Sequence, residues 1–444
     1  MTFWRPRTCL LDLHTHIRPE RLATVLGLTT LSPFTPYSTV MRKQPRQPEK
    51  RVHRQEGNQK QHTNERRGSA RYIKRKMDEL MRKAIKQVEE AKKRMGGPGG
   101  QPRTPWTPDR PHPQPYYAFD GDAGAWTPRQ PASSGPSSGA GSDTGIGRLA
   151  LFSWNIDFML PRADERMQAA LAHLESRVAP LLLSRGAADV IFIQECVVSD
   201  LELLAATPWV REHFYLTDVA ASAVGGEGGG GSGTWASGHY GTVTLVDRRL
   251  PVRALFRVHY RQTRMDRDAL FVDVGMRQNG SSGASEAGAG PVTEERSIRL
   301  CNTHLESLAL DPPFRPPQVQ VFAAYMHGSS PADDGNKGAA AAAATGTAIT
   351  APHGAVAAGD FNAIQDFDRT LHADNGLRDA FLELGGREDG PGAATWGQQA
   401  ATELRERFGC SRSMFSPISF RPSFHFAVPS SCSSFRDPSS FPPC

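Results

Sequence analysis

A chain of 444 residues with 38% hydrophobic residues, 42 Gly and 34 Pro is long enough for one large domain with tails or for two domains, and too poor in apolar side chains to be packed throughout. Its net charge of +6 does not describe a broad basic face, because residues 71–94 alone hold ten basic and four acidic side chains and the rest of the chain balances to zero. Six scattered cysteines (Cys9, Cys196, Cys301, Cys410, Cys432, Cys444) with no CxxC argue against a disulfide scaffold or a zinc site and for a reducing compartment.

The opening MTFWRPRTCLLDLHTH lacks a signal-peptide core. Its arginines would suit a transit peptide, but Asp12 and Glu20 oppose one. No apolar run approaches a membrane span, so the reading is an intracellular, soluble chain. Residues 1–69 show no sustained period. Between residues 71 and 95, Ile73, Met77, Leu80, Met81, Ala84, Ile85 and Val88 recur at helical spacing, which predicts a basic amphipathic helix. Such a helix is either a polyanion-binding element or a solvated surface helix. Gly96–Gly100 stops it, and the Pro-, Gly- and Ser-rich stretch 96–146 reads as a disordered linker.

Order is expected from Arg148. Leu149–Trp154 is a buried-strand pattern. Met167, Leu171, Leu174, Val178 and Leu181–Leu183 mark a helix, and Asp189–Gln194 is a second apolar strand. HFYLTDV, YGTVTLV, VRALFRVHY, ALFVDV and SIRLCNT are further strands; Gln318–Met326 is a helix, Ala355–Gly359 a strand and Leu377–Leu384 a helix. Many short strands with few helices predict packed sheets flanked by helices. Gly225–Gly233, Gly280–Gly290 and Ser329–Thr350 are low-complexity insertions, read as surface loop extensions.

The informative residues stand where the apolar runs stop. One run closes on Asn155 with Asp157 two residues on, a second on Gln194 and Glu195, a third on Thr303, His304, Leu305, Glu306 and Ser307, and a fourth on Asp360 and Asn362. Taken singly, Glu195 reads as a helix N-terminal carboxylate, Asp360 as an Asx turn, His304 as a core histidine and Asn155 as a turn residue. Four such ends in one domain predict a shared site along one edge of the sheets. The chemistry that fits is phosphoester hydrolysis. Glu195 suits a magnesium ligand, since that ion takes one or two carboxylates plus water and phosphate. Asp360 suits a water-orienting base, Asn155 and Asn362 can hold phosphate and water without adding charge, and His304 can donate to the phosphate.

SWNID (153–157), IQE (193–195), THLES (303–307) and GDFN (359–362), in that order, resemble the successive motifs of the endonuclease/exonuclease/phosphatase superfamily. WNID with THLES resembles its tyrosyl-DNA phosphodiesterase type 2 branch, and GHYGTVTLV (238–246), MDRDAL (265–270) and ATWG (394–397) sit in the expected order. The resemblance covers about 148–412. It implies an α/β (α+β) fold, a four-layer two-sheet sandwich with helices outside. It implies Mg2+ (or Mn2+) as cofactor, with Glu195 and Asp360 at the metal. It also implies Asn155, His304, Asp360 and Asn362 as catalytic residues, with Arg267 and Trp396 on the substrate. The expected partner is DNA carrying a 5′-phosphotyrosyl adduct, met by a monomer in the nucleus and also the cytoplasm, in DNA repair.

After Arg412 the resemblance calls for an Asp-led strand and, further on, a Ser-Asp-His turn. The chain instead holds ten Ser, six Phe and six Pro among the 32 residues Ser413–Cys444, a change that an unspliced intron or a shifted frame would give. His425 follows Phe424 rather than an Asp and is given no role. The expected division is therefore a low-complexity region (1–147), a catalytic domain incomplete at its C-terminal end (148–412) and an aberrant tail (413–444). Two rival readings stand beside the DNA one: a phosphodiesterase of the same superfamily acting on RNA, a phosphoinositide or a sphingolipid, and a catalytically dead binding module or defective gene model.

Overall fold

Alternation along each strand sets the layers of this protein. The structure, a computed structural model, describes residues 7–13, 106–131, 146–159, 162–182, 184, 186–224, 235–277, 295–329, 350–388, 390, 393, 395, 417–419 and 426–427. The elements in chain order are β1 (Arg7–Leu13), β2 (Pro111–Pro113), β3 (Tyr116–Asp120), β4 (Ala125–Arg129), β5 (Arg148–Asn155), α1 (Ala163–Leu182), β6 (Ala187–Val197), α2 (Val198–Ala206), α3 (Pro208–His213), β7 (Phe214–Leu216), β8 (Tyr240–Asp247), β9 (Val252–His259), β10 (Asp268–Arg277), β11 (Glu295–His304), α4 (Arg315–Met326), β12 (Gly354–Asp360), α5 (Leu371–Asp374), β13 (Arg378–Asp379), α6 (Ala380–Glu383), β14 (Pro417–Ser419) and β15 (Phe426–Ala427). All belong to one compact unit, residues 1–16 and 104–444. One sheet runs β15-β1-β5-β6-β8-β7-β3-β4 and the other β13-β14-β12-β11-β10-β9-β2.

The strands are buried on both faces, so period-2 alternation sorts their side chains into two apolar layers. From β5 and β6, Leu149, Leu151, Val190 and Phe192 meet Leu270, Val272, Leu300, Val356 and Ala358 of the other sheet in the central layer. The alternate residues Ala150, Phe152, Ile191 and Ile193 face outward onto Met167, Leu171, Leu174 and Val178 of α1. On the far side Phe271, Cys301, Ala355 and Ala357 cover Val319, Phe322 and Ala323 of α4. Helix, sheet, sheet and helix are the expected four layers.

Each sheet contains one parallel pair, and these two pairs place the site. β5 runs beside β6 with Asn155 opposite Gln194. β11 runs beside β12 with His304 opposite Asp360. Parallel neighbours end at the same edge, so all four polar strand ends come out on one side. A buried amide bridge ties the two sheets just inside that edge. Gln194 Nε2 donates to Asn302 Oδ1 at 2.8 Å, and Asn302 Nδ2 donates to the Val243 carbonyl at 2.9 Å.

The structure corrects three expectations. Residues 106–131, read as linker, form β2, β3 and β4 and join both sheets: β2 pairs with β9, and β3 pairs with β7 and β4. Leu377–Leu384 is not one helix. Asp379 closes β13 and caps α6, its Oδ1 accepting from the backbone N–H groups of Phe381 and Leu382. The 413–444 stretch, read as patternless, supplies β14 beside β12 and β13, and β15 beside β1. Proline at the first position of β14 is compatible with a short strand. The basic helix of residues 71–95 and most of the three insertions lie outside the described residues, as do Trp396 and His425.

Candidate active site

Glu195 owes its position to a bulge. β6 pairs in register with β8 up to Ile193 and resumes at Cys196, and Glu195 sits in the interruption with φ 58°. A bulge re-aims one side chain without breaking the strand, and here it turns Glu195 to the edge. Its Oε2 accepts from the Phe158 backbone N–H at 3.3 Å. Asp157 and Asn362 also have positive φ, 56° and 47°. Three non-glycine residues held in a sparsely populated region around one spot is the kind of local strain that marks functional sites.

Asp360 is placed by its neighbour. Gly359 has φ 146°, and a Cβ there would fall 1.9 Å from the Thr303 carbonyl oxygen of β11. Only glycine lets β12 lie against β11 at that point, one residue before the carboxylate. Asp360 Oδ2 accepts from Asn155 Nδ2 at 2.8 Å, which joins the two sheets, and its Oδ1 accepts from the Asn362 N–H at 3.0 Å. Asn155 Oδ1 accepts from the Asp157 N–H at 2.8 Å. Asn362 Nδ2 is engaged by the Leu305 carbonyl at 3.0 Å.

His304 lies between these acids and Arg267. Its Nδ1 receives a hydrogen bond from Arg267 Nη1 at 2.7 Å, so the proton of the neutral ring is on Nε2. That atom is buried without a hydrogen-bond partner among the described residues. It stands 3.7 Å from Glu195 Oε1 and 3.6 Å from Asp360 Oδ2. Arg267 also donates to Ser307 Oγ at 3.0 Å and lies 5.6 Å over the ring of Tyr240. Tyr240 in turn stacks on Phe158, with centroids 4.8 Å apart.

The electrostatics of the cluster follow from burial. Burial pushes the Glu195 carboxyl up to about 7; Arg267 counteracts this, and the charges of Asp360 and Asp157 add to it. Asp360 and Asp157 are raised too, chiefly by burial. Burial and then Arg267 hold His304 well below its ordinary value, so the imidazole is neutral. Three carboxyls whose ionised forms burial and their neighbours disfavour stand around the His304 Nε2–H, a donor left for an incoming acceptor. No three His, Cys, Asp or Glu side chains among the described residues close into a chelating cage. Magnesium needs none, since it keeps water and phosphate in most of its coordination positions. Carboxylate oxygens are the hard donors such an ion takes, and Glu195, turned to the edge by the bulge, is the residue placed to hold it.

Of the site residues expected from sequence, Asn155, Glu195, Arg267, His304, Asp360 and Asn362 are thus brought together. Phe158, Tyr240, Glu306 and Ser307 were not singled out for a role. The last three lay inside quoted motifs, but nothing in their residue type separates an active-site tyrosine or serine from an ordinary strand or turn residue.

The sequence comparison agrees with this geometry. Residues 152–412, more than half of the chain, match the model of the Endonuclease/Exonuclease/phosphatase family. The chain belongs to that family, whose members are hydrolases. None of the curated proteins compared with it matches significantly. Among solved structures it is similar to TDP2 from C. elegans, at 20% identity over 61% of this chain and 64% of that one, with a TM-score of 0.37. A humanized D. rerio TDP2 gives 18% identity over 61% and 84%, TM-score 0.36, and the human Nocturnin catalytic domain 12% over 63% and 87%, TM-score 0.34. The chain spans just under two thirds of the C. elegans protein. Likenesses this distant carry no statement about substrate.

Proposed function

We propose that this chain is a magnesium-dependent phosphodiesterase, served also by Mn2+, that hydrolyses 5′-phosphotyrosyl links to DNA. The observation that carries this reading is the meeting of Asn155, Glu195, His304 and Asp360 from four strand ends across two sheets. Glu195 would hold the metal, with Asp360 alongside. When bound, the ion would offset the negative charge of the phosphoryl oxygens. Asp360, fixed by Asn155 and by the Asn362 N–H, orients the attacking water and takes its proton as the water oxygen bonds to phosphorus and the bond from phosphorus to the tyrosyl oxygen breaks. The tyrosine leaves as phenolate, which takes a proton from solvent, and the DNA keeps a 5′-phosphate. His304 Nε2–H donates to a phosphoryl oxygen as charge builds there, and Arg267 locks the tautomer that makes this donation possible. The 5′-phosphotyrosyl assignment rests on the WNID and THLES strings around this geometry. DNA repair as a nuclear monomer is the context that assignment carries. No helix among the described residues is long and apolar enough to cross a membrane.

The test is to incubate the full chain with a 5′-tyrosyl oligonucleotide, an RNA oligonucleotide, a phosphoinositide and sphingomyelin, each with Mg2+ and with chelator. Tyrosine release that needs Mg2+ is the expected result. Cleavage of one of the other substrates without tyrosine release would move the reading to that substrate class. No turnover of any would favour a binding module.

A further inference from the structure

We infer that Glu306 is a positioning residue: it holds the 263–267 loop so that Arg267 reaches His304. The inference rests on the proposed phosphodiesterase reading for its kinetic arm but not for its structural one. Glu306 is only 1% exposed, and its carboxylate makes its two shorter hydrogen bonds to that loop, with a longer one of 3.4 Å accepted by Oε2 from Gln318 Nε2. Oε1 accepts from the Arg264 backbone N–H at 3.0 Å and Oε2 from Thr263 Oγ1 at 2.7 Å. Thr263 Oγ1 then accepts from the Arg267 and Met265 backbone N–H groups at 3.0 and 3.2 Å. The relay therefore runs from carboxylate to hydroxyl to the backbone of the very residue that donates to His304 Nδ1.

The base of the relay is equally tied down. The Glu306 N–H donates to Gln318 Oε1 at 2.8 Å, and Gln318 Nε2 donates to the Gln262 carbonyl at 2.8 Å. Arg315, 2% exposed, donates to the Glu306 carbonyl at 3.1 Å while paired with Asp368 through two bonds of 2.8 and 2.7 Å. Glu306 and His304 leave the same strand end, two residues apart. One rigid segment therefore supplies both the imidazole and the clamp on the group that orients it. A loop with one more degree of freedom would let the guanidinium drift, and displacements on the order of 1 Å in such a constellation cost up to about 10²-fold in rate.

The experiment uses Glu306→Gln, Glu306→Ala, Thr263→Val and Arg267→Ala in the full chain, with 15N spectra of labelled histidine and steady-state kinetics. In wild type, His304 is expected to show a single neutral tautomer with the proton on Nε2. Glu306→Ala and Thr263→Val should mix the tautomers. They should also lower kcat about 10-fold or more with little change in KM, and Glu306→Gln, which keeps one acceptor, should fall between. In the Arg267→Ala background the additional Glu306→Ala change should cost nothing further. An unchanged His304 spectrum in a folded Glu306 or Thr263 variant would overturn the inference, and so would a Glu306→Ala loss of the same size with and without Arg267. If wild type cleaves no phosphodiester, the functional reading fails, and the histidine spectra still decide the positioning claim.

Discussion

Two buried charge clusters sit a few residues apart in this protein and differ chiefly in one respect. Arg257, fully buried between the sheets, is paired with Asp218 and Asp268 at 2.9 Å each and donates further to Thr242 Oγ1, the Thr242 carbonyl and Gln114 Oε1. Its charge and the hydrogen-bonding capacity around it are used up. At the sheet edge, Glu195, Asp360 and His304 are largely but less completely buried, with side chains 14, 11 and 4% exposed, yet the His304 Nε2–H is orphaned and the carboxyls are pushed toward their neutral forms. A satisfied buried network specifies structure, whereas an unsatisfied one is held for something that arrives. If that contrast is right, mutations in the two clusters should separate stability from activity.

The largest effect is expected for Glu195→Ala. Removing the one carboxylate that the bulge aims into the site should reduce Mg2+-dependent turnover by ~10³-fold or more, the scale of several kcal/mol that a bound ion supplies. The melting temperature should stay or rise, because a crowded acid is gone. Wild-type turnover at ordinary Mg2+ would take Glu195 out of the site. Arg257→Met should do the reverse. It leaves Asp218 and Asp268 buried and unpaired, which costs about 3–5 kcal/mol and should lower the melting temperature by roughly 10 °C. A melt within a degree or two of wild type would show that the inter-sheet network is dispensable and the contrast false.

Asp360→Asn is the finer version of the same comparison. The substituted amide can keep a hydrogen bond to the Asn362 N–H but cannot take a proton, so turnover should fall at least ~10²-fold. The fold should persist with a small drop in melting temperature, because the amide cannot accept from both Asn155 Nδ2 and the Asn362 N–H as the carboxyl does. Unchanged turnover with an unchanged melt would reduce Asp360 to a turn residue.

What could be read from the chain alone tracks the same division. The site was legible because its residues interrupt apolar runs: Asn155, Glu195, His304 and Asp360 each end a strand, and a polar group at such a position stands out against what precedes it. The two-sheet architecture was legible for a related reason, since runs such as Asp189–Gln194 have no polar face and must be covered on both sides. Arg257 was not legible. In VRALFRVHY it alternates with Phe256 and Val258 like any solvent-facing residue, and only Asp218, Thr242, Asp268 and Gln114, from four distant places, make it a core side chain. Residues 106–131 failed for a different reason. Pro111, Pro113, Pro115 and Pro128 suggested a linker, but an edge strand tolerates proline. The real signal was the aromatic set Tyr117, Phe119 and Trp126, which packs on the outer face of the first sheet. Glu306 was visible in THLES as a letter, but its hydrogen bonds reach back to Thr263 and Arg264, and no local pattern reports a contact of that range.

The smallest expected effect tests that overlooked segment. Trp106 stacks on His259 with centroids 4.0 Å apart, and His259 is 3% exposed with neither ring nitrogen hydrogen-bonded among the described residues. Burial, then Arg257 and His112, lower its pKa to about 3. The folded protein therefore refuses a proton that the unfolded chain accepts below about 6.5. Stability from this group is fully present above that value and is lost as pH falls toward 3, by about 1.4 kcal/mol per pH unit inside the window. His112, also lowered by burial and Arg257, adds to the slope in the same direction. His259→Phe keeps a ring against Trp106 and removes only the titration. Melting curves at pH 7.5 and pH 5.0 should then converge in the variant relative to wild type, with little change at pH 7.5. An acid slope as steep in His259→Phe as in wild type would mean that the ring is not sealed under Trp106 in solution, and that residues 106–113 do not cover the sheet edge as β2 places them.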